Sequence, residues 1–300
     1  MKPDLLIVGS GALATLFAAR LSAAGVNVTM LGSWREGLSA LRKAGARLED
    51  GHSQFVQATE SPADCPGVKY ALVLVKSWQT EHIASQLASC LAEEGLAVTL
   101  QNGLGNDSIL SKSLGRQRIS RGVTTLGATL LAPGLVRSAG DGEITLEAHS
   151  RLSGLEEMLQ LARFQVRITE NMEPVVWGKL IINAAINPIT AILGVKNGLL
   201  LTNSPAHALM GELAGEAAQV AKAIPVELPF LDPVQAVDEV ARRTTDNISS
   251  MLQDVRRGAT TEVDAINGAV VRMGEWKGVA APANRAICSL VKALSVRDKI

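Results

Sequence analysis

Residues 5–14 read LLIVGSGALA, and this stretch decides the fold of the 300-residue chain. Its four apolar residues predict a short buried strand, and the helix formers after the second glycine predict a helix. Between them stands G-x-G-x-x-A, in which the first glycine permits a tight turn and the second lets backbone approach a pyrophosphate. The start of the helix adds N–H donors and the positive end of a dipole. Any α/β protein can carry such a glycine turn, but its place between strand and helix favours a dinucleotide site formed by Gly9, Ser10, Gly11, Ala12 and Leu13.

Alternation of strands and helices continues from this stretch through the first half of the chain. The helix predicted from Ala12 ends where Gly25 offers a C-cap, and further apolar runs predict strands at Asn27 to Leu31, Tyr70 to Val75, Ala97 to Leu100, Ile119 to Thr125, Glu143 to Glu147 and Gln165 to Ile168. Apolar strands that alternate with helices indicate a mostly parallel sheet covered on both faces. We therefore expect an α/β, Rossmann-type dinucleotide-binding domain over residues 1–170.

The pattern changes after about Glu170, where period-2 alternation almost disappears. Helical stretches follow, with breaks predicted at Pro188, Gly194, Pro205, Pro225 to Pro233, Gly258 and Gly278 to Pro282. We expect residues 171–300 to form an all-α domain for substrate binding and dimerisation. The apolar stretches Val263 to Met273 and Ala283 to Ala293 could be core or a dimer face, with core as the default. A homodimer therefore stays open.

Composition excludes several classes of protein. Hydrophobic residues make up 47% and charged residues 19%, and Lys+Arg and Asp+Glu are equal at 29 each, so nothing points to nucleic acid or to an anionic membrane. The cysteines, Cys65, Cys90 and Cys288, have no metal-type spacing and are expected to be free thiols in a reducing compartment. The scattered histidines predict no catalytic metal. The start Met1-Lys2-Pro3-Asp4 lacks a signal-type apolar region, and no later stretch looks long enough for a membrane span, so we expect a cytoplasmic protein.

The end of the second predicted strand bears on the choice of dinucleotide. An NAD enzyme usually places Asp or Glu there for the ribose 2′-hydroxyl, but this chain has Gly32, Ser33, Trp34 and Arg35. A hydroxyl and a guanidinium suit a 2′-phosphate, because charge-assisted bonds to phosphate are strong. The hypothesis is NADP bound through Ser33 and Arg35. The alternative is that Arg35 is a solvated surface charge, and Glu36 is the residue that could overturn the hypothesis.

The second half holds its most informative stretch at residues 177–188, which read WGKLIINAAINP. Lys179, Asn183 and Asn187 are spaced i, i+4, i+8 and would share one face of a helix. The surrounding residues are apolar, and buried polar groups must find partners. Two interpretations remain open: a hydrogen-bond network between helices, or a polar stripe that faces a substrate cleft.

A second polar line follows further along the chain. Asn247, Ser250 and Asp254 are spaced i, i+3, i+7 and would again share a helix face. After Gly258, the residues Thr261-Glu262-Val263-Asp264 resemble a capping box that restarts a helix, with Glu262 in its first turn. Taken alone, a glutamate at that position is more often a cap residue than a catalyst.

Together these segments resemble the 2-dehydropantoate 2-reductase (ketopantoate reductase) family over essentially the whole chain. The two C-terminal segments, 177–188 and 247–268, look like the signature regions of the family and are specific in combination. The glycine loop, the segment VKSW at 75–78 and the segment QNGLG at 101–105 are similar to its cofactor-side motifs. The glycine loop alone is not specific.

The resemblance implies a Rossmann domain hinged to a helical domain, with the active site in the cleft. The implied reaction is NADPH-dependent reduction of 2-dehydropantoate to pantoate, a small-molecule 2-oxo acid to its 2-hydroxy acid, in pantothenate and coenzyme A biosynthesis. By this resemblance Lys179 is the general acid, Glu262 holds the substrate and the lysine, and Ser250 binds the substrate carboxylate. Asn183, Asn187, Asn197 and Asn247 are implied substrate contacts. Asn102 lies between nicotinamide and substrate, and Lys76 is a cofactor-side lysine.

Two departures from the family pattern keep other functions open. The family usually places an arginine at the very end of the second strand, whereas Arg35 follows Gly32 and Ser33 here, and the segment from Leu199 to Thr202 is unusually apolar. One alternative is a paralogous NADP-dependent reductase of another 2-oxo acid. The other is a regulatory protein that senses NADP(H) without turnover, which has no need for a proton donor such as Lys179.

Overall fold

The computed structural model of this chain describes residues 3–294. Met1 and Lys2, part of the start that speaks against a signal region, lie outside the described residues, as do residues 295–300 of the expected helical domain. The chain divides into two compact units. The first holds Met1–Gln101 and Gly105–Met172, and the second holds Asn102–Leu104 and Glu173–Ile300.

The first unit contains the strands of the molecule. They are β1 (Leu5–Val8), β2 (Val28–Leu31), β3 (Ala46–Leu48), β4 (Ser53–Gln54), β5 (Gln57–Thr59), β6 (Val68–Val73), β7 (Leu91–Thr99), β8 (Ile119–Thr124), β9 (Ala128–Ala132), β10 (Leu135–Ser138), β11 (Glu143–Glu147) and β12 (Gln165–Thr169). The helices are α1 (Ala12–Ala23), α2 (Arg35–Ala44), α3 (Thr80–Cys90), α4 (Asn106–Leu114) and α5 (Ser153–Leu161). Short 3₁₀ turns stand at Pro62–Asp64, Ser77–Gln79 and Arg116–Arg118.

Eight strands form one sheet in the order β12-β11-β8-β7-β6-β1-β2-β5. The pairs along it are parallel except for the antiparallel pair β8 and β11. The prediction of a mostly parallel α/β sheet is confirmed, and the predicted strands are found with their ends shifted by a few residues. β7 begins six residues earlier than predicted, at Leu91.

Successive residues of β1 serve the two faces of this sheet. Leu5 and Ile7 join the apolar cluster that includes Phe17 of α1, whereas Leu6 and Val8 join the cluster that includes Leu87 of α3. The four strand residues are fully buried. Burying such side chains contributes about 1.5–3 kcal/mol each, so β1 is anchored from both sides and its carboxyl end presents the glycine loop in a fixed place.

A second, four-stranded sheet in the order β4-β3-β10-β9 was not predicted. β3 and β10 pair in parallel, whereas β3 with β4 and β10 with β9 pair antiparallel. β3 and β4 have three and two residues, which is too short to show a strand period. β9 and β10, with five and four residues, were missed although they are no shorter than β1 and β2.

The second unit is helical. Its helices are α6 (Glu173–Leu193), α7 (Leu199–Thr202), α8 (Ser204–Lys222), α9 (Pro233–Arg243), α10 (Ser250–Arg256), α11 (Asn267–Lys277) and α12 (Pro282–Leu294), and the described residues from Glu173 to Leu294 contain no strand. The predicted all-α second half is confirmed. Apolar residues of α11 and α12, such as Val270 and Ile287, pack into the core around Trp177 and Ile181 of α6.

The predicted break at Pro188 was wrong, because α6 continues through this residue to Leu193. A proline inside a helix removes the N–H that would bond the carbonyl four residues earlier, here that of Ala184. The side chain of Asn267 donates to that carbonyl instead, over 2.9 Å. Tertiary contact therefore replaces the missing rung, which a local sequence rule does not foresee.

α6 also bears on the expectation that no stretch is long enough for a membrane span. By length and composition α6 could cross a membrane, because its mean hydropathy over a window of 18 residues reaches 1.4. Two thirds of that window, 67%, is buried inside the protein, as in an ordinary core helix. The expectation was wrong on length, and the burial shows where the apolar residues go.

Candidate functional site

The glycine loop follows β1 directly. Gly9 has a φ of +133°, and its N–H donates to the Leu31 carbonyl at the end of β2 over 2.7 Å. A Cβ at this position would lie 3.1 Å from the backbone oxygen of Leu74. Glycine is required here both by the backbone conformation and by the close approach of the strand end after β6.

The space in front of α1 is open. Gly11 is the N-cap of α1, no side chain caps it, and the first turn carries no acidic residue. A Cβ built on Gly11 meets no protein atom within 4 Å. The first turn of a helix has N–H groups without helical partners, so this end offers an anion its donors and the room to approach them. The loop therefore fits the diphosphate of a dinucleotide.

Ser33 and Arg35 lie beyond the end of β2, where the sequence places them. The Ser33 hydroxyl accepts a bond from Gln79 Nε2 over 3.3 Å. Arg35 is the first residue of α2, with its side chain 88% exposed, and its Nε lies 3.4 Å from Glu60 Oε2. Arg42, two helical turns later, also reaches toward Glu60, at 3.9 Å. A phosphate at this edge would have to compete with Glu60 for the guanidinium.

A polar network behind Lys76 was missed from the sequence. Lys76 is half-buried, and its backbone N–H donates to Gln79 Oε1 over 3.3 Å. Gln101 Nε2 donates to the Val75 carbonyl over 3.1 Å and to Thr80 Oγ1 over 2.8 Å. Thr80 Oγ1 in turn lies 3.0 Å from Asn106 Oδ1. These bonds join the chain after β6 to the chain after β7 at the carboxyl edge of the sheet.

In the second unit, Lys179 stands half-buried on α6. Desolvation by burial lowers the pKa of its ammonium from 10.5 to about 8, and the negative charge of Glu262 opposes that change. An amine with a pKa near neutrality can give up a proton and regain it at ordinary pH. The site therefore contains a proton donor tuned by its surroundings.

Glu262 is 6% exposed, and it does not lie in a helix. α11 begins only at Asn267, and residues 262–266 form a turn in which Ala265 N and Ile266 N donate to the Glu262 carbonyl over 3.0 and 3.1 Å. The predicted helix restart at Thr261 was therefore wrong. Asn102 Nδ2 donates to Glu262 Oε2 over 3.2 Å, which brings together residues from two separate sequence motifs.

The three residues Asn102–Leu104 belong to the helical unit although they follow β7 in sequence. Leu104 N donates to the Ala265 carbonyl over 3.0 Å. Gly103, with a φ of +84°, lies so close to that carbonyl that a Cβ would overlap it. A backbone bond and a glycine-only contact therefore fix Asn102 against the turn that carries Glu262.

Asn183 and Asn187 follow Lys179 on α6 at the predicted spacing. Asn187 is 7% exposed and Asn183 is half-buried. Among residues 3–294, no protein group bonds to either side-chain amide. The interhelical network near them is made instead by Thr190, whose hydroxyl donates to Ser249 Oγ over 2.7 Å. Neither amide therefore belongs to a hydrogen-bond network between the described helices, which was the first of the two interpretations of this helix face.

Asn197 lies in the turn between α6 and α7, and it is 7% exposed. Its Nδ2 donates to Thr244 Oγ1 over 2.9 Å, while its Oδ1 is buried without a partner in the described part of the chain. A buried acceptor without a donor costs about 1–3 kcal/mol. A ligand hydroxyl would satisfy it.

The predicted common face of Asn247, Ser250 and Asp254 is not formed. α10 begins at Ser250, so Asn247 precedes the helix in a turn, and both residues are exposed. Asp254 is 1% exposed and pairs with Arg257 Nη2 at 2.8 Å. The residue that caps α10 is the buried Ser249, which accepts from Leu252 N. Ser250 and Asn247 remain accessible to a ligand, and Asp254 does not.

Three cysteines are the other reactive side chains, and Cys288 Sγ lies 3.9 Å from the Val263 carbonyl oxygen in the turn of Glu262. Burial raises the pKa of the Cys65 and Cys90 thiols to about 11 and also raises that of Cys288, so all three are protonated at neutral pH. Within residues 3–294, no group of three or more His, Cys, Asp or Glu side chains could hold a metal ion. The chemistry available is therefore that of an ammonium, a carboxylate and several amides.

Two family models together match almost the whole chain. A sequence model described as "Ketopantoate reductase PanE/ApbA" matches residues 5–151, and one described as "Ketopantoate reductase PanE/ApbA C terminal" matches residues 171–295. The chain is 37% identical over 295 residues to a 2-dehydropantoate 2-reductase of Archaeoglobus fulgidus, and 35% identical over 297 residues to one of Pyrobaculum aerophilum. These alignments cover 96% of this chain in both cases and 96% and 97% of the relatives.

Solved structures show the same fold. A PanE/ApbA family ketopantoate reductase from Ralstonia eutropha superposes with a TM-score of 0.91 at 31% identity, with full coverage of both chains. A ternary structure of D-mandelate dehydrogenase with NADH and anilino(oxo)acetate superposes with a TM-score of 0.92 at 24% identity, again over both full chains. The second likeness shows the fold alone.

Proposed function

We propose, on the premise that this chain belongs to the ketopantoate reductase PanE/ApbA family, that it reduces 2-dehydropantoate to pantoate with NADPH in the cytoplasm. The observation that carries the proposal is the half-buried Lys179, whose pKa is lowered by burial and acted on by the charge of Glu262. It lies on a helix on which the amides of Asn183 and Asn187 have no protein partner among residues 3–294. A nucleotide sensor would gain nothing from such a proton donor.

In this mechanism Lys179 protonates the substrate oxygen. Reduction of a 2-oxo acid develops negative charge on the carbonyl oxygen, and a positioned ammonium both stabilises that charge and supplies the proton. Its lowered pKa brings the donor close to working pH. Glu262 holds the ammonium by charge, and Asn102 fixes the Glu262 carboxylate through the bond of 3.2 Å.

The remaining polar side chains recognise the substrate. Amides and a hydroxyl match the hydroxyl, carbonyl and carboxylate oxygens of a small hydroxylated 2-oxo acid without adding net charge. Support comes from the amides of Asn183 and Asn187 and from Asn197 Oδ1, none of which has a partner in the part of the chain that the structure describes. Asn247 and Ser250 are exposed and complete the set, with Ser250 assigned to the carboxylate.

On the cofactor side, Gly9, Ser10, Gly11, Ala12 and Leu13 hold the diphosphate at the open end of α1. Ser33 and Arg35 hold the 2′-phosphate, and Lys76 lies at the nicotinamide side. When bound, NADPH supplies the hydride that is added to C2 of the substrate. We assign dinucleotide binding to residues 1–170, and substrate binding together with the contacts of a homodimer to residues 171–300.

Loss of absorbance at the nicotinamide band tests the function directly. Purified protein is mixed with 2-dehydropantoate and either NADPH or NADH. Rapid loss with NADPH alone is the expected result, and loss with NADH alone overturns the choice of cofactor. Turnover of another 2-oxo acid but not of 2-dehydropantoate overturns the substrate, and cofactor binding without any turnover favours a sensor.

The phosphate contacts are tested by Arg35→Gln. We expect the KM for NADPH to rise on the order of tenfold while that for NADH stays within about twofold, because only NADPH carries the 2′-phosphate. Arg243→Gln, an exposed arginine on α9, serves as the control and leaves both values unchanged. Equal effects on the two cofactors would remove Arg35 from the phosphate site.

A further inference from the structure

The helix that carries Lys179 lacks one of its regular backbone hydrogen bonds. In an α-helix the N–H of each residue bonds the carbonyl four residues earlier, and Pro188 has no N–H. The carbonyl of Ala184, a fully buried residue, is therefore without its helical donor. Ala184 stands between Lys179 and Pro188, directly after Asn183. The carbonyl without a helical donor therefore lies in the same part of α6 as Lys179, Asn183 and Asn187.

The side chain of Asn267, the first residue of α11, supplies the missing donor. Its Nδ2 donates to the Ala184 carbonyl over 2.9 Å and to Asn284 Oδ1 over 3.0 Å. Asn284 Nδ2 donates onward to the Leu213 carbonyl over 3.2 Å and to Glu216 Oε2 over 2.9 Å. Asn267 and Asn284 are both 0% exposed. One buried chain of bonds therefore links α6 to α8, α11 and α12.

Chemistry fixes the direction of these bonds. The Leu213 carbonyl and the Glu216 carboxylate can only accept, so Asn284 must turn its amide nitrogen toward them and its oxygen toward Asn267. Asn267 must then turn its own nitrogen toward Asn284 and Ala184. Its Oδ1 is left buried without a partner in the described part of the chain. The orientation that lets Asn267 donate to α6 therefore leaves its own side-chain oxygen unsatisfied.

The same residue ends the turn that carries Glu262. Between Glu262 and Asn267 the backbone is bound to itself, with Ile266 N donating to the Glu262 carbonyl over 3.1 Å and Gly268 N donating to the Val263 carbonyl over 3.0 Å. A segment with internal backbone hydrogen bonds thus runs from Glu262, whose charge acts on Lys179, to Asn267, whose side chain bonds the helix of Lys179. Asn267 touches neither substrate nor cofactor groups in any bond described above.

We propose that Asn267 is a positioning residue of the reaction. By bonding the Ala184 carbonyl, which Pro188 leaves without a helical donor, it holds α6 in place and so sets the position of Lys179 relative to Glu262. This inference rests on the proposed function. Prolines inside helices are sites of kinks, and a change of bend at Ala184 moves Lys179 and Asn183 relative to Asn187 and Glu262. Displacements of about 1 Å in a reacting site cost on the order of a hundredfold in rate.

A double-mutant cycle with Pro188→Ala tests the assignment, because alanine restores the N–H that Asn267 replaces. Asn267→Ala alone is expected to lower kcat on the order of tenfold to a hundredfold, with the NADPH Kd unchanged in a fluorescence titration. In the Pro188→Ala background the same substitution is expected to lower kcat by less than about threefold. If Asn267→Ala alone does not fold, the loss of kcat between Pro188→Ala and the double variant is still expected to be less than about threefold, and a loss of about tenfold or more there would overturn the proposal.

Ile287→Ala is the control, because it truncates a buried core residue of the same unit that makes no hydrogen bond to Asn267 or Ala184. Its effect on kcat should be the same with and without Pro188→Ala. Equal recovery of Ile287→Ala and Asn267→Ala by Pro188→Ala would mean general stabilisation and would overturn the proposal. A lowered Tm with wild-type kcat in Asn267→Ala would also overturn it, because Asn267 would then be structural only.

Hydrogen exchange separates this inference from the proposed function. Asn267→Ala should speed exchange of the α6 amides around Ala184, and Pro188→Ala should slow it again. Unchanged exchange in Asn267→Ala overturns the link whatever the activity. Wild-type protein that turns over no 2-oxo acid overturns the proposed function and the catalytic part of the inference, while the exchange result still decides whether Asn267 holds α6.

Discussion

The side chain of Asn102 donates to Glu262 across 160 positions of sequence, over 3.2 Å. Asn102 follows a strand of the parallel sheet, yet it belongs to the helical unit, and the carboxylate that it fixes acts by charge on Lys179. Three residues from three distant segments therefore form one electrostatic group. Its members are separately accessible to mutation, and each has a distinct expected effect.

Removal of the proton donor should abolish most turnover. Lys179→Ala is expected to lower kcat by about 10²- to 10⁴-fold, the usual contribution of general acid catalysis. NADPH binding, measured by fluorescence titration, should stay within about twofold of wild type, because the glycine loop lies in the other unit. Lys196→Ala, an exposed lysine paired with Asp246, is the control and should retain full activity. A fully active Lys179→Ala would remove Lys179 from the mechanism.

The rate of reduction should fall as pH rises through about 8. Only the protonated Lys179 can donate, and burial has lowered its pKa to about 8, so kcat/KM for reduction is expected to be flat below that value and to decline tenfold per pH unit above it. Oxidation of the 2-hydroxy acid needs the neutral amine and should show the opposite slope. A profile for reduction that stays flat to pH 10 would contradict the role of Lys179.

Glu262→Gln should move this alkaline limb to lower pH. The negative charge of Glu262 raises the pKa of Lys179 against desolvation, so loss of that charge lowers it further. Glutamine keeps an oxygen that can still accept from Asn102. Asp264→Asn removes an exposed charge in the same turn, one that pairs with Lys292, and should leave the limb in place.

A stabilising effect is expected for Lys179→Met. The folded state lowers the pKa of Lys179, so the unfolded chain binds the proton more tightly, and the buried charge destabilises the fold in full below pH 8. That penalty shrinks between pH 8 and 10.5, where the folded protein has lost the proton, and vanishes above. Chemical denaturation at pH 7 should show the variant more stable by about 1–2 kcal/mol, after allowance for partial exposure. No difference between pH 7 and pH 10.5 would count against the burial of charge.

Gly103→Ala should damage the site, and Gly105→Ala gives the matched comparison. Both glycines have positive φ, of +84° and +90°, so alanine costs about 1–2 kcal/mol at each. Only at Gly103 would the new Cβ overlap the Ala265 carbonyl, whereas at Gly105 nothing lies within 4 Å. Gly103→Ala should therefore lose roughly 1–3 kcal/mol more stability, together with kcat, since Asn102 must move. Similar losses in the two variants would show that the overlap is relieved elsewhere.

Gly11→Ala should weaken cofactor binding without unfolding the protein. Gly11 has an ordinary φ of −82° and an open neighbourhood, so alanine costs at most about 1 kcal/mol as an N-cap. The new methyl group would occupy the approach of the diphosphate, and we expect the NADPH Kd to rise on the order of tenfold. Gly215→Ala, at an equally open position on α8, should leave the Kd unchanged. An unaltered Kd in Gly11→Ala would place the dinucleotide elsewhere.

The parallel sheet and the helical half could be predicted because long apolar periods control them. The structure has the predicted strand and the start of the predicted helix within residues 5–14. It also has Lys179, Asn183 and Asn187 on one helix, as their spacing predicts. β3 and β4 of the small second sheet escaped because they have only three and two residues. Pro188 was interpreted as a break because the donor that replaces its N–H is Asn267, 79 positions later. Tertiary contacts decided both cases.

The turn around Glu262 shows a third kind of limit. The residues Thr261-Glu262-Val263-Asp264 have the composition of a capping box, yet α11 starts at Asn267. Backbone bonds within residues 262–268 and the Asn102 side chain define the conformation there instead. The function of Glu262 was suggested by resemblance, and its partner could be found only from the fold.

The three-residue segment Asn102–Leu104 sets a limit on how genes of this family can be recombined. A chimaera that joins the first 172 residues of this chain to the helical half of a relative imports a foreign turn opposite Gly103, whose glycine-only contact is made with the Ala265 carbonyl. In such a hybrid, the segment at 102–104 should come from the same protein as the helical half. For protein engineering, the exchangeable module is thus two pieces of chain rather than one.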